Sequence, residues 1–165
     1  MPNNIWLDGA NGTGKTTLAN ELVNYGFKYY HNGRPIIKRG WYIVLKYVIF
    51  ELTHKNAVVD RCFVSEWVHG NYERKRSSLS IKQCIFLEKF ISRFGSGLTI
   101  FVPEDVESTA DRIAKREEEH PLSPDKDMLS EIITVYEAYS VCSGHPLCRV
   151  KYASDVLKVH IAENL

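Results

Sequence analysis

Apolar residues follow two patterns along the chain. Short solid runs alternate with longer segments in which apolar residues recur every three or four positions. The runs "NNIWL" (3–7), "FKYY" (27–30), "NAVVD" (56–60), "LTIFV" (98–102) and "CRVKYA" (148–153) predict five strands. Between them, Gly14 to Tyr25 reads as a helix with Leu18, Leu22 and Val23 on one side, and Gly26 as its stop. Residues 36–54 carry a helical pattern rich in Ile, Val and aromatics, too long for one strand. Arg61 to about Glu73 is a further helix. Ser80 has the chemistry of an N-cap for another that runs to Phe94. Pro103 or Glu104 opens an acidic-fronted helix to about Glu119, "HPLSPD" is a loop, and Asp127 to Val141 is a helix with Leu129, Ile132, Ile133 and Tyr136 in register. Ser154 or Asp155 caps a last one. Strands that alternate with helices throughout predict a single-domain, three-layer α/β fold, a parallel sheet of about five strands with helices on both faces.

The 165 residues suffice for one domain with a real core, and 44% hydrophobic with 25% charged residues is ordinary globular composition. The net charge of +1 conceals local blocks. Six basic residues stand against Glu51 alone between Lys28 and Lys55, and six against Glu88 between Arg74 and Arg93. Ten acidic residues face four basic ones between Glu104 and Glu131. Coating nucleic acid calls for a stronger overall excess; holding a small anion needs only a local one. Cys62, Cys84, Cys142 and Cys148 have no paired spacing and the histidines are scattered, so reduced thiols, a cytoplasmic protein and no structural zinc are expected. No signal peptide is expected, and the apolar 41–52 stretch, broken by Lys46 and Glu51, is too short to span a membrane.

The chemistry concentrates in "IWLDGANGTGKTTL", where Gly9-x4-Gly14-Lys15-Thr16 fits G-x-x-x-x-G-K-[ST] without mismatch. Glycines at 9, 12 and 14 let backbone N–H groups turn inward around phosphate oxygens, and the helix that follows points its positive end at them. Asn11, Thr13 and Thr17 complete the loop. Lys15 supplies a mobile charge for the β- and γ-phosphates, and the Thr16 hydroxyl is a ligand for Mg²⁺. A switch GTPase is excluded by the lack of N-K-x-D.

"LDGANGTGKTT" followed by "VVDRCFVSEWVHGNY" resembles the thymidylate kinase and deoxynucleoside kinase group of phosphate-loop enzymes, especially small thymidylate-kinase-like proteins of viruses and phages. The group's loop pattern is met at Asp8 through Thr17, and its D/E-R-x-x-x-S strand end at Asp60, Arg61 and Ser65. The resemblance implies an ATP- and Mg²⁺-dependent kinase with Asp60 holding Mg²⁺ or positioning the acceptor, and Arg61 on the phosphates or the acceptor. A structural Asp-Arg pair is the plainer alternative. It also implies a lid over about 110–125 with a catalytic arginine, for which Arg112 and Arg116 are the candidates; a salt-bridged surface helix gives the same pattern. Arg34, before Pro35, stands where the group holds the acceptor's phosphate, and is otherwise a surface turn. Asp8 and Asn11 are expected near the acceptor, Asn11 where the group commonly has a carboxylate against the acceptor's sugar. Trp67 and Tyr72 are the aromatics best placed to stack on a base, although most aromatics at helical spacing are core.

Three acceptors follow: a pyrimidine deoxynucleoside monophosphate first, a deoxynucleoside second, and a hydroxymethylated pyrimidine in DNA third, with Arg74-Lys75-Arg76 along a DNA groove. A nucleotide-binding regulator without an acceptor is the reading from another class. The apolar 41–52 helix suits either the core or a homodimer.

Overall fold

The computed structural model describes residues 4–32, 40–117 and 126–151, the side chains of 116 and 117 excepted. Their order is β1 (Asn4–Gly9), α1 (Lys15–Val23), β2 (Lys28–His31), α2 (Gly40–Thr53), β3 (Ala57–Asp60), α3 (Phe63–Glu73), α4 (Ile81–Arg93), β4 (Gly97–Pro103), α5 (Val106–Glu117), α6 (Lys126–Ser143) and β5 (Leu147–Val150). The strands make one parallel sheet in the order β2-β3-β1-β4-β5. From β1 the chain crosses to the edge strand β2, returns inward to β3, and then passes to β4 and β5 on the other side of β1. That reversal opens a crevice beyond the C-terminal end of β1, where open sheets of this kind bind ligands.

Strand parity sorts the core into two layers, because successive side chains leave opposite faces of a sheet. Trp6, Ala57, Val59, Ile100 and Val102 pack beneath five helices, α2 through α6. Leu7, Val58 and Phe101 face the other way, onto Leu18, Ala19 and Leu22 of α1. The same parity sends Asp8 toward α3 and α6, and Asp60 toward α1.

At the opposite end of β1 the buried Glu51 carboxylate ties α2 to the sheet. It accepts from Asn4 Nδ2 (3.0 Å), Trp6 Nε1 (3.1 Å) and the Ser96 hydroxyl. A buried carboxylate tolerates such a place only when donors fill it. Ile43, Val44 and Tyr47 give α2 its core face, while Trp41, Leu45, Ile49 and Leu52 remain 50–73% exposed. The all-round apolar pattern of this helix is thus only half used by the core.

Several boundaries differ from expectation, each for a local reason. The helix after β4 starts at Val106, not at Pro103 or Glu104, because Pro103 is still paired with Val150 and the Glu104 N–H donates to the Val150 carbonyl (3.0 Å). Asp105 Oδ1 then accepts from the Glu107 N–H (3.0 Å) at the new start. Helix α1 stops at Val23, two residues short of Tyr25, in a turn that Gly26 completes at φ +91°. Ser80 caps α4 as expected, in a reciprocal capping box with Gln83. Residues 36–39 of the expected second helix, the 120–125 loop and the last helix lie outside the described residues. Among the described residues no helix is long and apolar enough to cross a membrane.

Candidate active site

The loop between β1 and α1 closes on itself tightly. Gly9, at φ +129°, lies against β4: a Cβ there would stand 1.9 Å from the Phe101 carbonyl oxygen, which accepts instead from the Ala10 N–H at 3.0 Å. Gly12, at φ +78°, is the contact for α5, since a Cβ would meet Thr109 Cγ2 at 2.7 Å and Ile113 Cδ1 at 2.9 Å. Helix α5 therefore rests directly on the phosphate loop. Gly14 caps α1 in the left-handed region, and Lys15 begins the helix.

Lys15 lies buried within this loop, its ammonium donating to the Ala10 carbonyl (2.6 Å) and Thr13 Oγ1 (3.3 Å). Burial lowers its pKa from 10.5 to about 8, against the opposing pull of the Asp8 and Asp60 carboxylates. Next along α1, the exposed Thr16 hydroxyl donates to Asp60 Oδ2 at 2.6 Å. Asp60 itself is buried and also lies beside Tyr29 OH (3.3 Å) and His31 Nδ1 (3.6 Å). Tyr29 and His31 had no signal in the sequence. Parallel pairing of β2 with β3, which sets His31 opposite Asp60, is what delivers them. Thr17 is exposed at the start of α1.

Asp8 has a different place from the one expected. Its carboxylate is completely buried and accepts five hydrogen bonds from neutral donors. Oδ1 takes the Gly9 N–H (2.7 Å), the Ser65 hydroxyl (2.7 Å) and the Tyr136 hydroxyl (2.8 Å), and Oδ2 takes the N–H groups of Cys62 (2.8 Å) and Ser65 (2.9 Å). Cys62 offers no side-chain cap to α3, so Asp8 caps that helix from the neighbouring strand. Burial first, and Asp8 second, push the Tyr136 hydroxyl above its usual range, which keeps it a donor. With its lone pairs engaged, Asp8 is a structural pin rather than a substrate ligand. Parity is the reason: residues 4, 6 and 8 share the face that packs on the helices.

Across the loop, Arg61 reaches Asn11, its Nη2 donating to Asn11 Oδ1 at 3.2 Å. The Arg61 backbone is left-handed at φ +69° and held by its N–H to the Leu7 carbonyl (2.9 Å) and by Asn32 Nδ2 to its own carbonyl (3.2 Å). A non-glycine residue in that region costs energy and persists where the surroundings enforce it. Arg112 is engaged with the Lys151 carbonyl (3.0 Å), the Ser108 carbonyl (3.2 Å) and Thr109 Oγ1 (2.5 Å), so α5 brings Thr109 and Ile113 onto the loop with Arg112 bound alongside. Trp67 packs edge-on against Tyr139, 5.3 Å between rings, and Tyr72 is half-buried against the core with Lys75 Nζ 5.6 Å from its ring centroid. Arg34, the side chains of 116 and 117, and residues 118–125 of the expected lid lie outside the described residues.

Fold and site together define a class, the three-layer parallel α/β architecture with a phosphate-binding loop after its central strand. No family model and no curated protein matches the chain. Solved structures do. The YorR protein of Bacillus subtilis, in complex with phosphorylated GDP, is 18% identical over 98% of each chain with a TM-score of 0.73. A deoxyadenosine kinase from M. mycoides with bound dATP is 15% identical, with 97% of this chain and 98% of that one covered, at a TM-score of 0.54. A protein of Eubacterium ventriosum is 11% identical over 99% and 98% of the two chains, at 0.51. The likeness is one of fold along the whole chain.

Proposed function

We propose that this chain is an ATP- and Mg²⁺-dependent phosphotransferase whose acceptor is a pyrimidine deoxynucleoside monophosphate. One juxtaposition carries the reading. A donor-side group of Lys15, Thr16 and Asp60 and an acceptor-side pair of Arg61 and Asn11 meet at the C-terminal end of β1, joined through the adjacent Asp60 and Arg61. The residues fit Mg²⁺. Thr16 Oγ1 and Asp60 Oδ2 are two oxygens 2.6 Å apart, and among the described residues no group of three or more His, Cys, Asp and Glu competes to cage a metal. Mg²⁺ prefers such sparse protein ligation, with phosphate and water filling the other positions.

In the reaction an acceptor oxygen bonds to the γ-phosphorus as the bond to the ADP oxygen breaks. Bound Mg²⁺ would neutralise charge on the β- and γ-phosphates. Lys15 leaves its contacts with Ala10 and Thr13 to follow the transferring phosphoryl group. The loop N–H groups hold the phosphates in a fixed field that needs no reorganisation at the moment of transfer. Arg61, pinned in its left-handed conformation, orients the acceptor, with Asn11 beside it to hydrogen-bond a sugar hydroxyl. Arg112 and Arg116 remain the candidate lid arginines.

The test is ADP release from ATP-Mg²⁺ against deoxynucleosides, pyrimidine and purine deoxynucleoside monophosphates, and plain or hydroxymethylated oligonucleotides. Purines belong in the panel because YorR was solved with phosphorylated GDP and the deoxyadenosine kinase with dATP. Turnover confined to pyrimidine monophosphates supports the proposal. Turnover on nucleosides or purines moves the acceptor, label only in oligonucleotides makes DNA the substrate, and binding without turnover makes the chain a nucleotide-binding regulator.

A further inference from the structure

The basic residues between Arg74 and Arg93 have no part in the site above, and three of them lie on α4. At 100° per residue, Lys82, Lys89 and Arg93 form one row along the helix, and Phe86, Phe90 and Phe94 form the row beside it. Together they span an arc of about 140°. Glu88, the only acidic residue of the helix, falls outside it. The core face of α4 is elsewhere, at Cys84, Leu87 and Ile91.

The three rings make a ladder, with centroids 6.1 Å apart from Phe86 to Phe90 and 5.0 Å from Phe90 to Phe94. Phe86 is 48% and Phe94 39% exposed, and all three basic residues are exposed. Among the described residues neither Lys89 nor Arg93 forms an ion pair. The surface is concave as well. A groove of about 720 Å³ runs from Phe86, Lys89, Phe90 and Arg93 to the start of β4; Glu88 also lines it, while Lys82 and Phe94 lie outside it. That start is four residues upstream of Phe101, which touches the phosphate loop, or roughly 13 Å along the strand.

A row of aromatic rings beside a row of exposed cations is complementary to a polymer of planar bases on a phosphate backbone. We propose that this face of α4 binds single-stranded nucleic acid, with bases on the Phe86-Phe90-Phe94 ladder and backbone phosphates along Lys82, Lys89 and Arg93. A second copy of the chain fits worse, since two-fold pairing of this face sets cation against cation. A free mononucleotide meets one ring and one charge and gains little from a ladder. The proposal stands apart from the phosphotransferase reading, because binding here needs no turnover.

The test is fluorescence anisotropy of a labelled dT12 oligonucleotide with the full chain, between 25 and 200 mM salt. Three phosphate contacts predict that log K falls with log salt at a slope of about −2. Lys89→Glu with Arg93→Glu should abolish binding, and Phe90→Ala should weaken it about thirtyfold, near the middle of what base–aromatic stacking contributes. Both are checked for native circular dichroism; Phe86→Ala, at an exposed ring, replaces Phe90→Ala if that variant unfolds. Undetectable binding at low salt would overturn the proposal. So would binding that survives the double charge reversal, or equal displacement by dTMP at the same nucleotide concentration. ADP release on the nucleotide panel should be unchanged in Lys89→Glu/Arg93→Glu, so loss of DNA binding and failure of the kinase reading register in separate assays.

Discussion

Lys15 makes the sharpest prediction, because its function and its stability cost pull in opposite directions. The ammonium is buried in a loop of backbone dipoles, and the fall of its pKa from 10.5 to about 8 corresponds to about 3 kcal/mol against the charged form in the folded state. Replacing it by methionine keeps the bulk and removes the charge. The Ala10 carbonyl is not orphaned, since Thr13 Oγ1 also donates to it at 2.9 Å, so the lost hydrogen bond offsets only about 1 kcal/mol. Lys15→Met should therefore stabilise the nucleotide-free protein by about 2 kcal/mol at pH 7 while abolishing phosphoryl transfer. The pH dependence follows from the direction of the shift. Between about pH 8 and 10.5 the unfolded chain holds a proton on Lys15 that the folded chain has released, so wild-type stability rises with pH across that window. The advantage of the variant should shrink by about 3 kcal/mol over the same range. Urea denaturation of both proteins at pH 7, 9 and 10.5, free of nucleotide and metal, measures the difference directly. A difference that is zero at pH 7, or constant across pH, refutes the reasoning.

Three further outcomes are expected. Asp8→Asn puts an amide against backbone N–H donors in a fully buried site, and should destabilise by about 3 kcal/mol in chemical denaturation; a loss below 1 kcal/mol would show that Asp8 is not the pin of α3. Asp60→Asn should lower kcat at least tenfold while leaving the KM for ATP within about threefold, as expected for a group that acts mainly on the transferring charge; an unchanged kcat makes Asp60 structural. The exposed apolar side of α2 should drive self-association, so sedimentation should show a dimer for the wild type and a monomer for Leu45→Glu; a wild-type monomer removes α2 as an interface.

Much of this protein was legible one segment at a time. Each strand run and helical pattern depends on neighbours a few residues away, and the capping box at Ser80 and Gln83 is legible for the same reason. The loop motif is local as well: glycines at 9, 12 and 14 constrain the backbone wherever the segment sits. Helix starts were less legible where a distant strand intervened, as when pairing with Val150 kept Pro103 in β4.

By itself, then, the sequence determined the alternation of strand and helix, the parallel α/β class and the phosphate-binding loop, because periodicity and backbone chemistry are short-range properties. Where the charged residues around that loop point depends on contacts that form only on folding. Asp8, one residue before the end of β1, and Asp60, the last of β3, both lie beside the loop, and nothing in their immediate sequence separates their roles. Parity across a shared sheet turns Asp8 inward onto Ser65 and Tyr136 and turns Asp60 toward Thr16. The pairing of Arg61 with Asn11 and the seating of α5 on Gly12 likewise join residues 50 and about 100 positions apart. Such contacts exist only once the sheet order brings their strands together, which is why the site had to be seen folded.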